Sequence, residues 1–220
     1  MQGENPGTVV DDCHRAWYRE MFAPSVTAGL FKPSDLAGYR NGQVFIRKSM
    51  HVPLNRDAVR DAMPAFFDLL RAAEHPGVRV VLGHFVFVYF HPYMEGNGRM
   101  GRFLMNVMMA AGGYPCTVIP LSARNTYMAA LERASVGEDI APFAEFLAGL
   151  ARKGLAGEPL PPSRPLRQRQ WSGKLAHRAP RWITSVDAVT DLLVKSDIGT
   201  FTDRTVVKPC QNSSHWRRWG

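Results

Sequence analysis

Apolar positions along the first two-thirds of the chain recur mostly every three or four residues, the period of a helix buried on one face. Over residues 8–22, Val9, Cys13, Ala16, Trp17 and Met21 share such a face. Residues 23–42 are rich in proline and glycine and read as loop. From Asn55, a candidate cap, Val59, Met63, Phe66, Phe67 and Leu70 predict a second helix, with Pro64 placed to kink or divide it. The stretch 77–93 is apolar almost all round. It is long for a strand, so it predicts a central buried helix in spite of its β-branched residues, stopped by Pro92 just after His91. Phe103, Leu104, Val107 and Met108 predict a helix over 98–113, ended by Gly112-Gly113, and two further helices follow around 122–134 and 140–152. One segment breaks the period. Residues 43–53, with Val44 and Ile46 among β-favouring neighbours and Pro53 at the end, read as a strand or hairpin. The pattern predicts an all-α fold, a helical core carrying one small β-hairpin.

The remaining residues separate from this core. With 220 residues, 45% of them hydrophobic, the chain is long enough for one well-buried core and an appendage. Its net charge of +8 is not evenly spread: residues 1–150 hold 14 Lys/Arg and 14 Asp/Glu, whereas 151–220 hold 13 and 5. Four of the five tryptophans, Trp171, Trp182, Trp216 and Trp219, also lie in this last part. We set residues 161–220 apart as a basic, Trp-containing tail. Three readings of it stay open: a flexible tail, an accessory element that binds nucleic acid or a protein partner through interleaved basic and aromatic residues, and sequence not native to the domain.

Several classes are set aside. The longest apolar run, 80–90, is too short to span a membrane and contains His84. The N-terminus lacks the basic-then-apolar pattern of a signal peptide. Cys13, Cys116 and Cys210 are far apart with no CxxC pair, which argues against a disulfide framework or zinc cage and for a reducing, cytoplasmic setting.

The chemistry concentrates in HPYMEGNGRMGR, residues 91–102. Between two helices, the glycines Gly96 and Gly98 allow backbone N–H groups to converge on an anion at the second helix's N-terminus. Asn97 adds a side-chain amide. Arg99 and Arg102, three apart, project from one side and suit a polyphosphate. Glu95 would repel phosphate unless a cation stands between, which points to Mg²⁺ held by the carboxylate and phosphate oxygens. His91 is then placed as a general base for an incoming hydroxyl. The assembly reads as transfer of a phosphate-containing group from a nucleotide. His84, two helical turns before His91, is read as a buried structural residue rather than a metal ligand.

These twelve residues resemble the signature of the Fic family, H-x-F-x-(D/E)-G-N-G-R-x-x-R, through His91, Glu95, Gly96, Asn97, Gly98, Arg99 and Arg102. Tyr93 stands where Phe is usual, leaving a hydroxyl in need of a partner. The resemblance covers about residues 8–160 and implies a Fic-type helical core with a small flap. It implies adenylyl transfer from ATP, with Mg²⁺, to a Ser, Thr or Tyr hydroxyl of a target protein. By that resemblance His91 deprotonates the hydroxyl, Glu95 binds the metal, Gly96, Asn97 and Gly98 hold the phosphates near the reacting centre, and Arg99 and Arg102 hold the outer ones. Val44, Phe45 and Ile46 match the flap that aligns the target, and Tyr127 is a candidate for the nucleoside pocket.

The resemblance also directs attention to regulation. Many members carry an inhibitory (S/T)-x-x-x-E-(G/N) helix whose glutamate pairs with the motif's second arginine, here Arg102. No segment of this chain matches it; Ser135-Val136-Gly137-Glu138 has the wrong spacing. The expectation is a chain without self-inhibition, either truncated or restrained by a separate inhibitory protein. Two alternatives to adenylylation remain: transfer of another phosphate group, by phosphorylation or phosphocholination, and a catalytically inactive interaction domain. Gly98-Arg99, where kinase-type relatives carry a lysine, favours adenylylation.

Overall fold

A computed structural model describes residues 4–158 as six α-helices: α1 (Pro6–Thr27), α2 (Arg56–Ala72), α3 (Pro76–Phe90), α4 (Asn97–Ala111), α5 (Arg124–Val136) and α6 (Ala141–Leu155), with short 3-10 turns at Pro33–Leu36 and Leu121–Ala123. The tail readings for 161–220 lie outside the described residues. No helix of the described residues is long and apolar enough to cross a membrane.

The central position predicted for 77–93 is occupied by α3, whose residues from Val78 to Phe87 are nearly all buried. It packs most closely on α4, and α2 and α6 also lie against it. The close approach to α4 depends on Gly101, where a Cβ would come within 2.6 Å of the Val88 side chain. Residues 91–96, which join these two helices, are therefore anchored at both ends by a closely packed pair.

The structure corrects three expectations. First, the buried stripe of α1 is not Cys13, Trp17 and Met21 but Val10, His14, Tyr18 and Phe22, spaced four apart. Two of those side chains are polar-tipped and buried with partners: His14 Nε2 and the Tyr39 hydroxyl meet at 2.7 Å, and the Tyr18 hydroxyl donates to the Glu95 carbonyl at 3.0 Å. Second, α1 runs through Pro24 and α2 through Pro64. Both prolines are exposed, so the carbonyls that they leave without a helical donor face water. Third, the β-hairpin expected over 43–53 is absent. There is no strand among the described residues, and this segment is irregular chain with a turn at Arg47-Lys48. A strand needs a partner for its backbone groups; here side chains supply the bonds instead. Arg40 donates to the carbonyls of Gly42 and Leu54, and Glu132 accepts from the Met50 N–H at 2.6 Å.

Candidate active site

α3 ends at Phe90, and His91 caps it in the left-handed region at φ 52°, ψ 58°. That conformation turns the chain abruptly and carries the imidazole to the mouth of the α3–α4 loop. His91 Nδ1 donates to the Val88 carbonyl at 2.8 Å, which fixes the tautomer and leaves Nε2 as the unprotonated nitrogen. Burial pushes the pKa of the half-buried ring down to about 4, with the charges of His51 and Arg40 acting in the same direction against the Val88 bond. Near neutral pH the ring is uncharged and able to accept a proton.

Asn97 closes the loop on itself. Its Oδ1 accepts from the Tyr93 N–H at 2.9 Å and its Nδ2 donates to the Tyr93 carbonyl at 2.7 Å, with only 2% of the residue exposed. The side-chain amide expected to face phosphate is thus engaged as a clip, and what Asn97 offers an anion is its backbone N–H. Gly96 takes φ +76°, and a Cβ there would lie 2.2 Å from the Phe22 ring. The loop consequently lies flat on Phe22, and Tyr93 stacks on Tyr18 with ring centroids 3.6 Å apart and planes 4° from parallel.

At the start of α4 the first intrahelical bonds run from the Arg99 and Met100 N–H groups to the Gly96 carbonyl. The N–H groups of Asn97 and Gly98 precede them and, as the first of the helix, have no intrahelical acceptor. Arg99 lies over the Phe22 ring, its guanidinium carbon 4.4 Å from the centroid. Neither Arg99 nor Arg102 forms an ion pair among the described residues. Partial burial and the neighbouring Arg102 charge both lower the pKa of Arg99. Two guanidiniums without an ion pair, beside a helix N-terminus, have the charge and donors that suit a multiply charged anion. Glu95 sits on the exposed crest of the loop, and its carboxyl pKa is raised by partial shielding, against the Arg99 charge.

Tyr127 is 5% exposed, its hydroxyl 2.8 Å from Nε2 of the fully buried His84, and its ring packs on Phe143 and Phe146. It is a core residue whose hydroxyl pKa is raised by burial, against the nearby Arg102 charge. Val44 is buried, and Phe45 and Ile46 are half-buried.

Two residues at this site carry no signal in the sequence motif. Arg40, 2% exposed, donates from Nε to the His91 carbonyl at 2.7 Å, and its backbone N–H donates to the Pro92 carbonyl at 2.8 Å. Glu132 holds the far end of the 43–53 segment. Their partners are mainly backbone atoms, which no residue pattern displays.

Residues 10–109 match the Fic/DOC family. That stretch of the chain is similar to a Fic/DOC domain. Within curated relatives, it is 38% identical over 120 residues to the protein adenylyltransferase Fic of Nematostella vectensis, covering 53% of this chain and 27% of that one. Against the Drosophila willistoni protein of the same name the identity is 34% over 131 residues, 58% of this chain and 26% of the relative. The chain thus spans only about a quarter of the length of these relatives. Among solved structures, Fic-1 from C. elegans superposes with a TM-score of 0.54 at 25% identity, over 66% of this chain and 41% of that one. A Fic family protein from Desulfovibrio desulfuricans G20 shares the fold, with a TM-score of 0.55 at 24% identity over 71% of this chain and 48% of that one. The matched Fic/DOC segment runs from α1 to near the end of α4, and so includes the loop that follows α3 and the start of α4 through Arg102.

Proposed function

We propose that this chain is a protein adenylyltransferase that moves AMP from ATP to a hydroxyl side chain of a target protein. The observation that carries this reading is the pairing of a neutral His91, its Nε2 free because Nδ1 is tied to Val88, with an anion site at the α4 N-terminus. Named relatives with the same activity, at 34–38% identity, support it.

In this reading His91 Nε2 takes the proton of the target hydroxyl as its oxygen bonds to the α-phosphorus and pyrophosphate leaves. The Asn97 and Gly98 N–H groups, with the loop opened by Gly96, receive phosphate oxygens close to the reacting centre. Arg99 and Arg102 neutralise the outer phosphates and hold the leaving group in line. No group of three or more His, Cys, Asp or Glu side chains that could hold a metal occurs among the described residues, so a cation at Glu95 would take its other ligands from phosphate and water. One exposed carboxylate beside a polyphosphate cradle fits Mg²⁺, which supplies charge neutralisation on the phosphates when bound. Val44, Phe45 and Ile46, whose segment is tied to the His91 and Pro92 carbonyls by Arg40, are the docking edge for the target chain. Its backbone groups suit an extended peptide laid along it.

The test is transfer in a lysate with Mg²⁺ and ATP labelled at either the α- or the γ-phosphate. Adenylylation puts the α label on protein and leaves the γ label in solution, and His91→Ala lowers transfer at least about 100-fold, the contribution of a general base. Protein labelled from the γ position would replace this reading with phosphorylation, and no label from wild type at any position would remove it.

A further inference from the structure

The segment opposite His91 is held from α5 by one carboxylate. Glu132 Oε1 accepts from the Met50 N–H at 2.6 Å, and Oε2 accepts from the Ser49 hydroxyl. The same Ser49 oxygen accepts from the His51 N–H at 3.0 Å. His51 then donates from Nε2 to the Tyr89 carbonyl at 3.0 Å, two residues before His91, and its ring lies 4.2 Å from that of Tyr89. A continuous series of bonds therefore joins α5, through Ser49 and His51, to the end of α3. Glu132 has no ion pair among the described residues; its carboxylate is given wholly to this segment.

The segment does not adopt this shape by its own preference. Lys48 sits at φ 63°, in the left-handed region that costs a lysine stability. Met50 is 80% exposed, so no burial of its side chain holds it. With no strand partner, residues 48–50 are held by the turn bond from the Ser49 N–H to the Ile46 carbonyl at 3.2 Å and, from outside the segment, by the two bonds to Glu132.

We propose that Glu132 is a specificity-determining positioning residue: it sets where the 47–51 segment stands relative to His91, and so how tightly a protein target is held, without touching ATP. The inference rests on the adenylyltransferase reading for its kinetic consequence, while the latch itself is a property of the free protein. Glu132→Ala removes both acceptors. Glu132→Gln keeps a carbonyl for the Met50 N–H and acts as the conservative rescue.

The experiment has two arms on the full chain. Hydrogen exchange of residues 47–52, without nucleotide or acceptor, is faster in Glu132→Ala than in wild type and intermediate in Glu132→Gln. In the second arm, the acceptor protein isolated from the lysate by its α label is titrated at saturating ATP, and ATP is titrated at fixed acceptor. The acceptor KM rises roughly tenfold in Glu132→Ala, the equivalent of one charge-assisted hydrogen bond, with the ATP KM unchanged and partial recovery in Glu132→Gln. Unchanged exchange over 47–52 overturns the latch, and parallel changes in both KM values overturn the specificity role. If wild type labels no acceptor, the adenylyltransferase reading fails, and the exchange arm alone decides whether Glu132 holds the segment. Should Glu132→Ala melt well below wild type, Glu132→Gln carries both arms.

Discussion

The buried Arg40 guanidinium donates to the main-chain carbonyl of His91 at 2.7 Å, and its other nitrogens reach the carbonyls of Gly42 and Leu54. One side chain thus holds the left-handed turn that presents His91 and also both ends of the segment facing it. Burial lowers the Arg40 pKa to about 10, which leaves it charged at neutral pH. A lysine cannot make these bonds, because it lacks the planar fork. Arg40→Lys should lose about 3 kcal/mol or more in denaturant unfolding, as carbonyls lose a charged donor inside the protein. It should also reduce transfer beyond what the lost folded fraction accounts for. A variant as stable as wild type would show that the three carbonyls do not need this residue.

The His91 ring should behave as a base well below the ordinary histidine range. Its pKa is pushed down to about 4, chiefly by burial. Because Nε2 must be unprotonated to accept a proton, activity controlled by His91 is present above that value and is lost as pH falls through it. Glu95 titrates in the same sense, since its raised carboxyl pKa means the anion is lost sooner on acidification. Kinetics should therefore be level between pH 6 and 8 with respect to His91. An NMR titration of the ring, assigned with His91→Ala, reads this directly; an inflection near the usual 6.5 would contradict it.

Most of the fold was readable from residue spacing. The length and all-round apolarity of 77–93 predict a central helix, and the contiguous motif puts a base and an acid on one loop and two arginines at the start of the next helix. What escaped depends on partners distant in sequence. Arg40 meets His91 across 51 positions and Glu132 meets Ser49 across 83, and the atoms they hold are largely carbonyl and N–H groups common to all residues. The hairpin reading of 43–53 failed for a related reason: Val44 and Ile46 favour a strand locally, but no second strand stands beside them among the described residues. Pro24 and Pro64 misled because the cost of an interior proline depends on whether the orphaned carbonyl meets water, which spacing does not reveal.

Gly96 should tolerate no side chain. A Cβ combines the strain of φ +76° with a 2.2 Å clash against the Phe22 ring. Gly96→Ala should cost about 2–5 kcal/mol, the sum of a left-handed residue and an overpacked core. Adding Phe22→Leu should return part of the loss by removing ring atoms, although Arg99 then loses its aromatic support. Thermal melting of the single and double variants measures both effects. A double variant less stable than the sum of the two single changes would place the strain elsewhere.

Acid should weaken the fold before its carboxylates are titrated. Burial lowers the pKa of His84 to about 4 and also lowers those of His14 and His51. The unfolded chain binds these protons near pH 6.5, so between about 6.5 and 4 it carries more protons than the native state, and stability falls as pH falls. For His84 alone the loss from pH 7 to 5 is about 2 kcal/mol. Urea unfolding at both values gives the slope, and equal stabilities at pH 7 and 5 would rule out neutral buried histidines.

Tyr93 presents the reverse case, a polar group whose removal should help. Its hydroxyl is buried and has no hydrogen-bond partner, while the ring is held by the parallel stack with Tyr18. Desolvating a hydroxyl without a partner costs about 1–3 kcal/mol, against which its deletion leaves only a small void. Tyr93→Phe keeps the stack, and the Asn97 clip is unaffected because it bonds the Tyr93 backbone. The variant should be as stable as wild type or more stable by about 1 kcal/mol, with transfer unchanged. Chemical denaturation with the m-value held constant separates the outcomes. A loss of stability would mean that a water or a neighbouring group satisfies the hydroxyl, and a loss of transfer at equal stability would mean that the hydroxyl serves the reaction.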